Sequence, residues 1–117
     1  MGLRWTNEYC ANTDYALLAD DDVFLNIPLI VREYAVRSAY KNDVLHCGYW
    51  LAKHAKVLRK GKWGVSRQLY NMAVYPSYCL GPAYIMSQDV ARELYVTSEH
   101  TRTDMFIDDV FISGVLR

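Results

Sequence analysis

YALLADDDVFLN (residues 15–26) sets three consecutive carboxylates, Asp20, Asp21 and Asp22, between two apolar runs. Two carboxylates about 5 Å apart repel by ~3 kcal/mol at an effective dielectric near ~20. A solvated turn relieves that repulsion, but Leu17-Leu18-Ala19 before the triplet and Val23-Phe24-Leu25 after it argue against such a turn. A divalent cation with oxygen ligands is the cheapest way to hold the cluster. The apolar run Tyr15–Ala19 reads as a short, buried strand of an α/β sheet, so the aspartates fall at a strand end.

Working outward, residues 3–12 read as the end of a helix, with Asn12-Thr13-Asp14 as a turn. On the other side Asn26 is a helix cap with Pro28 in the first turn, and the helix is expected through Leu29, Ile30, Glu33, Tyr34 and Arg37. Residues 43–51 suggest one further strand. Residues 53–62 form a basic connection. Residues 63–87 read as loop and short strand, punctuated by Pro76, Gly81 and Pro82. Helices are expected from Asp89 and from near Asp108. This order belongs to the α/β class, and a single such half leaves a sheet edge uncovered, so a partial domain whose ends are cuts is expected.

The chain's 117 residues fit one small domain at most. At 52% hydrophobic and 22% charged residues it can build a packed core. Lys plus Arg balance Asp plus Glu at 13 each, which gives no electrostatic reason to expect nucleic acid or an anionic membrane as partner. No run is long enough to span a bilayer, and MGLRWTNEYC is not a signal peptide. Ten tyrosines and three tryptophans suit rings packed on rings or on sugars, with a Tyr-rich core the plainer reading for most of them. Cys10, Cys47 and Cys79 fit no zinc spacing. They leave open either reduced core thiols or one disulfide and a partner outside the chain; a Cys10–Cys79 bridge would contribute roughly 4 kcal/mol.

In an extended backbone Asp20 and Asp22 share a face and Asp21 points away. A D-x-D pair at a strand end can serve a hard cation that completes its shell with phosphate oxygens. An EF-hand is excluded because the residues after Asp22 are apolar and no glycine follows at the required place. The competing reading has Asp22 and Asn26 merely capping the next helix. Asp108-Asp109 in MFIDDVFISG is likewise an ordinary helix start, unless the fold brings it to the first cluster, where it could act as a base. In residues 75–84, YPSYCLGPAY, aromatic faces flank Gly81, which allows a close backbone approach or a positive φ. The three histidines, His46, His54 and His100, sit at unrelated spacings and are assigned no role.

In order along nearly the whole chain come Trp5 and Cys10, YALLADDDVFLN (15–26), Lys62-Trp63 with Val65-Ser66, YPSYCLGPAYIMSQDVA (75–91) and IDDVFISGVL (107–116). Together they resemble the beta-1,3-galactosyltransferase family, which also contains beta-1,3-N-acetylglucosaminyltransferases. The resemblance implies an α/β, GT-A (Rossmann-like) nucleotide-sugar transferase fold, of which residues 1–117 would be the C-terminal portion of the catalytic domain. The N-terminal nucleotide-binding part and the Golgi membrane anchor would then lie outside this chain. It implies inverting transfer of galactose or N-acetylglucosamine from a UDP-sugar to a hydroxyl of a glycan acceptor on protein or lipid. Asp22 would be the direct ligand of Mn²⁺ (or Mg²⁺), while Asp20 and Asp21 would contact the ribose and the metal's waters. Asp109 matches the family's proposed base. Asp108 stands where Glu is usual, and Trp63, Tyr78 and Gly81 match positions flanking the donor and acceptor pocket. Gly81-Pro82-Ala83-Tyr84 replaces a glycine-rich loop, and Gly64 an aromatic. The alternative is a non-catalytic carbohydrate- or metal-binding homologue or an inactive fragment.

Overall fold

Ala83–Ser87 is the strand on which the other elements are arranged, and all five of its residues are buried. The structure, a computed structural model, describes residues 2–36, 42–101 and 104–117. We number its elements α1 (Gly2–Tyr9), β1 (Tyr15–Ala19), α2 (Ile27–Val31), β2 (Leu45–Cys47), β3 (Trp50–Ala52), β4 (Tyr78–Leu80), β5 (Ala83–Ser87), α3 (Gln88–His100) and α4 (Asp108–Val110). Widened helical turns follow α2 (Arg32–Val36) and α4 (Phe111–Val115). Arg37, expected in the second helix, lies outside the described residues.

β1 and β2 flank β5, each antiparallel to it, with Tyr15 opposite Ser87, Ala19 opposite Ala83, and Cys47 opposite Tyr84. β3 and β4 pair separately, Trp50 opposite Leu80. The mixture of helix and sheet is consistent with the α/β class. The expected buried first strand is instead half-buried, because β1 lies at a sheet edge while β5 takes the covered centre. The single strand expected over 43–51 is two strands. Gly48 is the reason: its N–H donates to the Ala83 carbonyl at 2.8 Å, and a Cβ there would meet that same oxygen at 2.8 Å. The chain can approach β5 so closely only without a side chain, and it then turns away into the second sheet. β4 makes the reverse passage into β5 through Gly81, whose φ is +113°.

The cysteines follow from this crossing. Cys47 on β2 is bonded to Cys79 on β4, joining the two sheets, and Cys10 is free. The Cys10–Cys79 alternative is therefore corrected: Cys10 follows α1, while the bend at Gly48 brings β2 against β4. The bridged residues are 32 apart, a closure worth ~3–4 kcal/mol in the chain-entropy account. Replacing both by alanine should lower the unfolding free energy by about that amount in non-reducing denaturant titrations. A loss below about 1 kcal/mol would show that the sheets hold together without the bridge.

Two apolar clusters result. One gathers Met86, Val90, Ala91, Leu94, Tyr84 and Leu116 between β5, α3 and the chain's end. α3 presents Val90, Ala91 and Leu94 to it as one helical stripe. Asn7 on α1 donates to the Ala91 carbonyl at 3.1 Å and ties α1 to α3. The second cluster collects Ala52, Val57, Val65, Tyr75, Tyr78 and Val110. Tyr84 from the first and Tyr75, Tyr78 and Val110 from the second meet along one cleft.

Candidate active site

The end of β1 is held by the turn across from it: the Asp20 N–H donates to the Pro82 carbonyl at 2.8 Å. Asp21 and Asp22 then turn rather than continue the strand. The strict face alternation expected for an extended triplet does not apply, yet Asp20 and Asp22 both line the cleft and Asp21 does not. Helix capping does not require Asp22, because Asn26 alone accepts the Leu29 N–H, at 3.1 Å.

The second acidic pair begins α4. The Asp108 carboxylate accepts the Asp109 N–H at 3.0 Å, and that of Asp109 accepts the Val110 N–H at 2.7 Å. Both bonds satisfy helix-start donors that have no partner inside the helix. Ser113, buried one turn on, donates to the Asp109 carbonyl at 2.5 Å and accepts the Cys79 N–H at 2.9 Å. Gly114 permits this seating, since a Cβ on it would lie 2.9 Å from the Tyr78 Cβ. The turn here is widened, with the Leu116 N–H reaching the Phe111 carbonyl at 2.9 Å. Such turns recur at functional sites. Asp109 is thus fixed to β4 by backbone and serine contacts, independently of any ligand.

The cleft so formed has a volume of about 1020 Å³ and is lined by Asp20, Asp22, Trp63, Tyr78, Gly81, Asp108 and Asp109, among others. These residues come from four separate stretches of sequence. The electrostatics follow from the meeting of these stretches. Burial pushes the Asp109 carboxyl above the usual carboxylate range, and the charges of Asp108 and Asp20 push it further. Burial also raises the phenols of Tyr78, with Asp109 adding to it, and of Tyr84, which feels Asp108, Asp109 and Asp20. A half-buried carboxyl with a raised pKa in a cleft is a candidate for accepting and releasing a proton. Trp63 is half exposed, and the Lys62 ammonium sits 4.7 Å from its ring centroid.

The family model described as galactosyltransferase matches residues 1–117. The chain belongs to the galactosyltransferase family. Mouse beta-1,3-galactosyltransferase 1 is 32% identical over 117 residues, covering all of this chain and 36% of the relative. Human lactosylceramide 1,3-N-acetyl-beta-D-glucosaminyltransferase is 33% identical, over 96% of this chain and 30% of that protein. A zebrafish protein with the latter name, form A, is 33% identical over 111 residues, 93% of this chain and 29% of its own length. The chain therefore spans about a third of the length of the curated relatives it matches.

Within this galactosyltransferase-family chain, sequence reasoning missed several lining residues. The aromatic stretch of residues 75–84 left Tyr75 and Tyr84 open between sugar-stacking faces and an ordinary buried loop, and neither was singled out for the site; both are buried, yet both also line the cleft. No local signal separates the two roles; only the meeting of the two apolar clusters does. Lys56 and Leu58 were passed over within a basic connection. The alternation of apolar Ala55 and Val57 with Lys56 and Leu58 was the available signal.

Proposed function

We propose that this chain carries the metal-binding and base half of an inverting beta-1,3-glycosyltransferase site, which moves galactose or N-acetylglucosamine from a UDP-sugar to a glycan hydroxyl on protein or lipid. One observation carries the reading: the end of β1 and the start of α4 bring Asp20, Asp22 and Asp109 to one cleft, where Asp109 holds its proton unusually tightly. An ionised Asp109 takes the proton of the acceptor hydroxyl, and the freed oxygen attacks the anomeric carbon from the face opposite the departing diphosphate. One bond forms as the other breaks, so the configuration inverts. Tyr78 and Trp63 offer aromatic faces to sugar rings.

The donor set fits Mn²⁺ or Mg²⁺. Carboxylates are hard oxygen ligands, and one or two of them with substrate phosphates suffice for such an ion. Among the described residues no group of three or more His, Cys, Asp or Glu side chains could hold an ion alone, so Asp22 and Asp20 would hold it together with the donor. Once bound, the cation neutralises charge on the leaving diphosphate. The wider reading is a GT-A domain of which this chain is a part, working in the Golgi lumen on a membrane-anchored parent protein.

The test is transfer from UDP-galactose and UDP-N-acetylglucosamine to lactose-type acceptors by the protein carrying this chain. Chelation should reduce turnover by at least about 100-fold and added Mn²⁺ should restore it. Donor binding without transfer would favour the non-catalytic homologue, and turnover indifferent to chelation would remove the metal from the mechanism.

A further inference from the structure

The cleft contains a cation that the reading above does not use. Residues 55–58 run alongside residues 73–75: the Val57 N–H donates to the Ala73 carbonyl at 3.0 Å, and the Tyr75 N–H to the Ala55 carbonyl at 2.8 Å. Strand alternation then sorts the side chains. Val57 is buried in the second cluster with Ala55 packed against it, while Lys56 and Leu58 face the other way and line the cleft. The Leu58 carbonyl accepts the Val65 N–H at 2.8 Å, which closes the far end of this wall. Arg59 beyond it is fully engaged with the Val65, Tyr70 and Met72 carbonyls. Lys56 is therefore held on a stiff backbone, not on a free loop.

Among the described residues, Lys56 is the sole cationic side chain lining a cleft that also presents Asp20, Asp22, Asp108 and Asp109. Its ammonium has no ion pair or hydrogen bond among the described residues. The Lys56 side chain is exposed, so its ammonium is free to meet a ligand that enters the cleft. The buried hydroxyl of Tyr75 also lacks a partner among the described residues, but Lys56 pairs across with Val74, so Tyr75 sits on the opposite face with Val57 in the second cluster. Lys56 is thus the unused donor that this face presents beside a strongly acidic site.

We infer that Lys56 binds a phosphate oxygen of the sugar-nucleotide donor, from a wall separate from the one that supplies Asp20 and Asp22. The inference rests on the donor proposed above. Charge accounts for the arrangement: a diphosphate entering among four aspartates needs more positive charge than one divalent cation provides, and Lys56 supplies it as a mobile point charge.

The experiment measures UDP affinity in the presence of Mn²⁺ by calorimetry for the protein carrying this chain, as wild type, Lys56→Gln and Lys56→Arg, with thermal melts of each. Loss of a charged hydrogen bond should weaken UDP binding about tenfold or more in Lys56→Gln. Lys56→Arg should stay within about threefold of wild type, and all three should melt together. Lys56→Gln binding within about twofold of wild type would overturn the inference and leave the donor reading standing. So would a loss matched by a large fall in melting temperature. A wild-type protein that takes up no UDP would instead sink the donor reading, and this inference with it.

Discussion

Asp109→Asn should reduce sugar transfer by about 10²–10⁴-fold, the usual contribution of a positioned general base, while leaving donor binding within about twofold of wild type. The substitution preserves shape. Asn keeps an oxygen for the Val110 N–H, and the bonds that seat this turn run through the Asp109 carbonyl and Ser113, not through the carboxylate. Only proton acceptance is lost. The wild-type pH profile adds a second measurement. Burial and the charges of Asp108 and Asp20 raise the Asp109 pKa, so the acidic limb of kcat/KM should lie above the range of an ordinary aspartate. Asp108→Asn should move that limb back down, since it removes one of the charges responsible.

The same raised pKa carries a stability consequence of definite sign. A carboxyl whose folded pKa exceeds its unfolded value favours the fold at low pH. That contribution is lost as pH rises through the folded value. Asp109→Asn should therefore melt no lower than wild type at neutral pH, and its advantage should vanish in acid. Transfer that survives the substitution would remove Asp109 from the role of base, and a variant that melts lower at neutral pH would contradict the raised pKa.

Asp22→Asn is the second large effect expected. It should weaken Mn²⁺-dependent UDP binding by about 10–100-fold, and transfer with it, because in the proposed site it replaces an anionic ligand of the cation with a neutral one. Asp21→Asn should change either by less than about threefold, because Asp21 sits in the exposed turn outside the cleft lining. The contrast between neighbours guards against a general electrostatic explanation, as both substitutions remove one unit of charge. Equal losses at Asp21 and Asp22 would mean that the triplet acts only through its summed field.

Local chemistry was readable from the sequence where it was self-contained. Asn26 caps α2 as its position before Pro28 indicated, and Tyr15–Ala19 is a strand because nothing but apolar residues lies between two polar turns. Long-range choices were not readable. Nothing in VLHCGYWL separates one strand from two; the split depends on the Ala83 carbonyl standing where the Gly48 side chain would go. The disulfide partner and the antiparallel order around β5 follow from that same bend. At the site, the acidic triplet itself marked Asp20 and Asp22, whereas Asp109 read as a helix start until the family resemblance marked it, and Lys56 needed the wall between residues 55–58 and 73–75 before it faced anything.

The bridge between Cys47 and Cys79 has a consequence for how the molecule can be made. The three cysteines of this chain allow three single pairings, and oxidative refolding has to find among them the one that joins β2 of one sheet to β4 of the other. In the folded chain the bond locks the two sheets to each other. Cys10 competes for either partner throughout that search. Material produced in a thiol-rich compartment would arrive unlocked, and material oxidised too early would contain trapped isomers.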